Sequence, residues 1–579
     1  MEELTALCRR YVVNGDDDML ISGVKSLVEL GGSHDITTVL TKPEQQDILV
    51  KLGWELMMII PVNDDTIRLI NKIAEVGVAM EISLGLLELL GDCTDIWACM
   101  KLLEATQTAL VRLPSETALG SSLCSVTMVI SKHYQLLSVD NDGSHGDQSL
   151  PEKHDHHGNS SFHDIISTLE HVVKFVEPFV DQIHNNSDRD HMIYWTPTQQ
   201  GCVCLLLTML GIPLVECDLH RSTMLLSNTQ VVMQCLCLAH CNSMKVLEYD
   251  QYKSSSNMED RLVLPPEGVA SYAHIILVEG ICQDYLPSII SSHYLLNICV
   301  KCVIVLLSRT NSGVVMLKGI SLLMTLVERI TPATMTTTTL DEYDHQQLIT
   351  LMCNVMATCP HDNVRKECVS CFPQYLEVFS GPAKYRLYQG LLRGGTCHAG
   401  VTGFLIHLIK NDVNDALKSE DVTSPFLAPQ FSIISRLVFS LPGGDQCDLL
   451  SQSDRVMATL NFLRYLLIRD KPADNKTGVW SNLKQVEQDF LKPLRVCLRD
   501  SQHWCSQRLT ELKEEHVTNT SHNIQDGVAD LKVEVIGDGV LPEMTTSEEI
   551  KMTTLAQHQL DMITCVLTRV DELLTCVNT

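Results

Sequence analysis

The sequence predicts an all-α fold, a HEAT-like helical repeat array (α-solenoid) in two halves with a C-terminal helix that docks back on it. Three observations point there. Aromatic residues are only 5% of the 579-residue chain while Leu, Val, Ile and Met are plentiful, a balance that suits packed helices better than sandwiches or barrels. Apolar residues recur at three- and four-residue spacing in segments one helix long, and strand-like period-two runs are nearly missing. Short polar turns separate the segments, as in helical-pair solenoids; the lack of a sharp period is common for HEAT-type units of ~40–47 residues.

The first half, residues 1–247, opens with amphipathic segments at Ile67–Val78, Glu81–Leu90 and Ala98–Leu113. Residues 138–161 (SVDNDGSHGDQSLPEKHDHHGNSS) lose all periodicity and have the composition of a disordered loop. Helical spacing resumes at Phe162–Ile183, Cys202–Ile212 and Gln230–Val246. The polar run Glu248–Asp260, followed by Pro265 and Pro266, is the expected boundary, with the second half at 261–579.

That second half is apolar and helical in period from Val269 to Ile330. In residues 364–379, Val364, Cys368, Cys371, Tyr375 and Phe379 share one face, and Pro373 is expected to kink the helix that carries them. Tyr385–Leu392, Gly400–Ile409 and Ile433–Leu441 are again helix-sized. A flexible acidic loop is expected near 506–545, and Ser547–Val577 then forms one long helix striped by Ile563, Val566, Leu567, Val570, Leu573 and Leu574.

Composition narrows the function. The formal charge of −28 repels phosphate backbones, so nucleic acid is not an expected partner. The apolar windows Trp54–Val62 and Gly201–Cys217 are short or broken by Pro213, below the ~20 residues of a membrane span, and no membrane segment is expected. The amino terminus lacks the apolar core of a secretory leader. The 23 cysteines show no framework and fit reduced thiols, which together point to a cytoplasmic protein.

Chemistry-bearing clusters are few. His154, His156 and His157, with His145 and His163 nearby, are metal-ligand types in a stretch with no framework to hold a coordination geometry. Cys299/Cys302 and Cys368/Cys371 are spaced like zinc-ligand pairs but fall within helical patterns, where a thiol reads better as a small buried hydrophobe. No GxxxxGK[ST], GxSxG, HExxH or paired-Gly dinucleotide motif is present, so neither an enzymatic activity, a cofactor nor a resident metal is expected.

The most informative segment is Leu449–Leu494. A buried stripe of Val456, Leu460, Leu463 and Leu467 leaves Asp454, Ala458, Asn461, Tyr465 and Arg469 on the opposite side, with Ile468 at its edge. Such a face is either solvated or a docking surface. Tyr465, Ile468 and Phe462, placed on or beside it amid both signs of charge, favour docking, because interfaces use aromatic anchors within a polar rim. Arg455 lies in the same segment. Arg464 falls near the buried stripe, where it would snorkel or pair with an acid. Lys492 and Arg495 add positive charge after the second helix.

In this segment Ser453-Asp454-Arg455, Met457, Asn461, Leu463-Arg464-Tyr465-Leu466 and Phe490-Leu491-Lys492-Pro493-Leu494 resemble the glomulin (FKBP-associated protein) family. Supporting patches are Leu52-Gly53-Trp54, Leu84-Gly85-Leu86-Leu87-Glu88-Leu89, Pro178-Phe179-Val180 and Tyr294-Leu295-Leu296. The resemblance implies a HEAT-like protein that binds the RING-box subunit of cullin-RING ubiquitin ligases through its carboxy-terminal half. It would thereby mask the surface where the ubiquitin-conjugating enzyme docks. The resemblance also implies association with FK506-binding immunophilins, and an adaptor for immunophilins or for trafficking or signalling receptors is the alternative. The partner-binding residues expected are Asp454, Arg455, Asn461, Arg464, Tyr465, Arg469 and Lys492.

Overall fold

A computed structural model describes residues 2–14, 17–94, 96–137, 157–185, 195–240, 244–248, 264–395, 398–419, 423–525 and 546–578. Helices account for the regular structure, and among the described residues the sole strand-like feature is an isolated parallel bridge between Met335 and Phe379. The all-α, helical-repeat expectation holds. The chain divides into two compact units, Met1–Arg329 and Ile330–Thr579.

Unit 1 carries α1 (Glu2–Asn14), α2 (Asp17–Glu29), α3 (Ser33–Leu40), α4 (Gln46–Ile59), α5 (Ile67–Val76), α6 (Ala79–Asp92), α7 (Ile96–Val111) and α8 (Glu116–Tyr134). It continues with α9 (His157–Asn185), α10 (Pro197–Leu210), α11 (Thr223–His240), α12 (Met244–Leu247), α13 (Pro266–Leu277), α14 (Ser292–Leu307) and α15 (Gly313–Val327). Packing between next-but-one helices defines two layers. One layer runs α4, α6, α8, α10, α13, α15 and the other α5, α7, α9, α11. A helix that is amphipathic on one stripe must find a partner layer, and stacking each pair on the last buries a continuous core.

The polar run Glu248–Asp260, expected to separate the halves, lies outside the described residues from position 249 on, and the two compact units divide at 329/330. The reason is that α13 packs directly on α10, across the run. Arg309 pairs with Glu267, and Lys318 Nζ donates to the carbonyls of Val215 and Cys217, each at 2.7 Å. The core of unit 1 therefore continues through α15.

The stretch Pro197–Glu216 is long and apolar enough to cross a membrane by length and composition, whereas the overlapping window Gly201–Cys217 reads from sequence as too short or broken by Pro213. Of the apolar window within Pro197–Glu216, 83% is buried, and α10 is the central core helix of its layer. Of the expected loop at 138–161, residues 138–156 fall outside the described residues, and 157–160 already belong to the first turn of α9.

Unit 2 holds α16 (Thr337–Leu340), α17 (Tyr343–Thr358), α18 (Asp362–Glu377), α19 (Gly381–Gly394), α20 (Ala399–Lys418), α21 (Phe431–Val438), α22 (Ser453–Arg469) and α23 (Leu483–Val486). A π-helical turn at Glu487–Leu491 leads into α24 (Lys492–Gln525), and α25 (Thr546–Asn578) follows. The stripe Val364, Cys368, Cys371, Tyr375 and Phe379 is buried throughout, and Pro373 sits inside α18 without ending it. The acidic loop expected near 506–545 is corrected in its first part. Residues 506–525 continue α24, and 526–545 lie outside the described residues.

The continuation has a physical cause: Cys505 and Leu512 are buried on the face that α25 covers, and Arg508 pairs across to Glu549 at 3.1 Å. A polar composition is enough for a helix when one narrow seam is packed. Helix α25 also packs on α22, so the expected docking of the last helix is present within unit 2.

Candidate functional site

His154 and His156 lie outside the described residues, and Cys299, Cys302, Cys368 and Cys371 are buried inside helices. Burial pushes the Cys371 thiol up to about 12 and the Cys368 and Cys299 thiols up as well. Among the described residues no three His, Cys, Asp or Glu side chains converge in a way that could hold a metal ion.

The surface of α22 is better formed. Its buried arc comprises Phe462, Leu466, Thr459, Leu463, Val456, Leu467 and Leu460. At roughly 100° per residue the centre of that arc is rotated toward Phe462 and Leu466 relative to the stripe read from sequence. Two corrections follow. Phe462 is 1% exposed and is a core residue, with ring centroids 5.8 Å from Phe439 and 6.1 Å from Phe431. Arg464 is exposed rather than tucked near the buried stripe.

The outward face consists of Asp454, Asn461, Arg464, Ile468 and Arg469, with Tyr465 half-buried at its edge. Ile468 is 59% exposed, an aliphatic side chain standing among charges. Asn461 is folded onto its own helix, its Nδ2 donating to the Met457 carbonyl at 2.9 Å.

Tyr465 is held from outside α22. Its hydroxyl donates to Asn414 Oδ1 of α20 at 2.9 Å, and Lys410 Nζ stands 5.9 Å from the ring centroid in a cation–π arrangement. Burial pushes the Tyr465 phenol up, while the Arg469 guanidinium hydrogen-bonded to it partly counters that shift. The approach of α20 to α22 rests on Gly403, where an added Cβ would fall 2.9 Å from the Asp454 carbonyl oxygen. A side chain there would push the two helices apart.

The remaining candidates are placed elsewhere. Arg455 is half-buried, its guanidinium donating to the carbonyls of Leu437 (3.4 Å) and Ser440 (3.3 Å), so it ties α22 to the turn after α21. Lys492 is exposed at the start of α24, a separate element from the other candidates. Arg495, read as added positive charge, is neutralised in place by Glu487 and Asp571, both at 2.5 Å.

The end of α22 is fixed as firmly as its side. Asp470, 2% exposed, accepts from the backbone N–H of Lys476 (3.0 Å) and of Thr477 (2.8 Å) and from the Thr477 hydroxyl (2.5 Å). The Trp480 indole N–H donates to the Asp470 carbonyl at 2.5 Å. Helix α20 is anchored by an internal ion network in which Lys384 Nζ meets Glu377 (2.8 Å) and Asp412 (3.3 Å), and the Tyr388 hydroxyl donates to Asp412 at 2.8 Å. The exposed side chains of α22 are thus carried on a rigid support.

Sequence reasoning missed Lys410 and Asn414, because it ended the helix at Ile409 while α20 runs to Lys418. The signal that would have found them is the continuing apolar spacing Ile406, Ile409, Val413 and Ala416, all buried.

A helical-repeat scaffold with an ordered, exposed, mixed-charge face and no convergent reactive side chains among the described residues is the class of protein these features define. A family model described as an uncharacterised protein family, YAP/Alf4/glomulin, matches residues 291–536. The mouse (Mus musculus) protein Glomulin is 26% identical, over 94% of this chain and 91% of its own length. The human (Homo sapiens) Glomulin is 33% identical over 53% of this chain and half (50%) of its own length. The chain is similar to the glomulin proteins, to the mouse one over nearly its whole length. A solved circular tandem repeat protein aligns over 100% of this chain and 97% of its own at 12% identity, with a TM-score of 0.19 that is too low to bear on the fold.

Proposed function

We infer that this chain is a non-enzymatic cytoplasmic regulator of cullin-RING ubiquitin ligases, binding the RING-box subunit through the outer face of α22 and the adjoining edge of α20. The observation that carries this is the pairing of exposed Ile468 and Arg464 with a Tyr465 already fixed by Asn414 and Lys410. Interfaces concentrate their energy in such aromatic, aliphatic and arginine positions, and a side chain ordered before binding loses less entropy on association. Similarity to the glomulin proteins supports the same reading.

Masking needs no chemistry. A RING module activates its conjugating enzyme by holding it, so a rigid competitor covering roughly 800 Å² of that surface is sufficient. The direct test adds purified protein to a neddylated cullin–RING-box complex with its conjugating enzyme and follows ubiquitin-chain formation. Concentration-dependent loss of chains, with co-purification of the RING-box subunit, is expected. Full chain formation at saturating protein removes the proposal.

A further inference from the structure

The outer surface of α4 and α6 in unit 1 carries a second surface unrelated to α22. The two helices run side by side, with Trp54 and Met57 of α4 lying over Gly85 of α6. A Cβ on Gly85 would fall 2.9 Å from Trp54 Cε3 and 2.5 Å from Met57 Cε, so the indole rests on bare helix backbone. Around that ring, Val50 is 40% exposed and Leu84 is 54% exposed, with Met58 half-buried beside them. On α6, Glu81 and Glu88 are exposed and flank Leu84 at three and four residues.

At helical spacing Val50, Trp54 and Met58 form one row and Leu84 stands on the neighbouring helix, so the apolar strip follows the direction of the helix axes. A strip of this kind fits the apolar face of a helix, with anchors at i, i+3 or i+4, and i+7. The carboxylates decide the sign of that helix. Glu81 and Glu88 on α6, and Glu55 and Asp47 exposed on α4, outnumber the exposed Lys51. They would repel an acidic segment and the anionic surface of a membrane alike.

We propose that the α4–α6 face of unit 1 is a docking site for a basic amphipathic helix of a partner protein, its apolar side over Trp54 and Leu84 and its cations against Glu81 and Glu88. This surface is independent of the α22 face and neither proposal requires the other.

The test uses the full chain and two 18-residue synthetic helical peptides with identical leucine faces, one flanked by lysines and the other by glutamates, each followed by fluorescence anisotropy. Saturable binding of the lysine peptide is expected, weakened about tenfold by Leu84→Ser and by the pair Glu81→Lys/Glu88→Lys. Both changes are at exposed positions, and circular dichroism confirms the fold. Glu511→Lys, at an exposed position of α24, controls for the overall negative charge and should leave the affinity unaltered. Equal binding of both peptides, or equal weakening by Glu511→Lys, overturns the proposal. A concentration-dependent dimer in light scattering that Leu84→Ser abolishes would assign the face to a second copy and overturns it as well.

Discussion

The Tyr465 hydroxyl donates to Asn414 Oδ1 at 2.9 Å, and this contact joins helices whose residues are 51 positions apart in the chain. It separates two roles of one side chain. Tyr465→Phe removes the hydrogen bond but keeps the ring under Lys410, and should lower stability by about 1 kcal/mol in denaturant unfolding. Tyr465→Ala also removes the anchor and should weaken RING-box binding by about 1–3 kcal/mol in calorimetry. Equal, small effects of both on binding would place the interface away from Tyr465.

Arg464 and Arg469 are exposed on the same face as Ile468. Charge reversal at either position should slow association and make the residual affinity less sensitive to salt, because exposed charges act mainly by steering. Ile468→Ser should instead raise the dissociation rate, since it removes apolar area from the centre of the patch. Surface plasmon resonance at two ionic strengths distinguishes these behaviours. If all three variants bind as the parent does, the α22 face is not the contact.

Phe462 shows where sequence reading reached its limit. Periodicity located α22 and its buried side, since Val456, Leu460, Leu463 and Leu467 are all buried. It could not say how wide the buried arc is, because that depends on which neighbours arrive: α21 and the turn after it bring Phe431 and Phe439 onto Phe462, while α25 and α20 pack elsewhere on α22. The ends of elements were lost for a related reason, as polar α24 is stabilised by a seam with α25 that lies 41 residues away at Arg508 and Glu549. Phe462→Ala should therefore cost about 3–5 kcal/mol of stability by leaving a cavity, measured by chemical unfolding. A change below 1 kcal/mol would return Phe462 to the surface.

Lys384 sits almost fully buried between Glu377 and Asp412. Burial pushes the Asp412 carboxyl up while the Lys384 ammonium and Tyr388 hydroxyl oppose that shift. Lys384→Met leaves the carboxylate with Tyr388 alone and should destabilise unit 2 by about 3 kcal/mol or more. Adding Asp412→Leu should restore much of the loss, since no uncompensated buried charge remains and Glu377 is exposed to solvent. A double variant no better than the single one would show that the network holds the fold by more than charge pairing.

His345 gives unit 2 an acid sensitivity whose sign is fixed by its surroundings. Its ring is fully buried, hydrogen-bonded through Nδ1 to the Tyr375 hydroxyl at 2.6 Å and stacked against that ring, with Phe379 edge-on. Burial lowers its pKa to about 4. The unfolded chain, with an ordinary imidazole near 6.5, binds the proton more tightly than the folded one. The stabilisation is therefore complete above about pH 6.5 and is lost as pH falls toward 4, at ~1.4 kcal/mol per unit and on the order of 3 kcal/mol in all. His345→Gln keeps a polar partner for Tyr375 but cannot titrate. Its unfolding midpoint should fall less between pH 7 and pH 4.5 than that of the parent, even if it is less stable at pH 7. Parallel losses in the two proteins would assign the acid sensitivity to other groups.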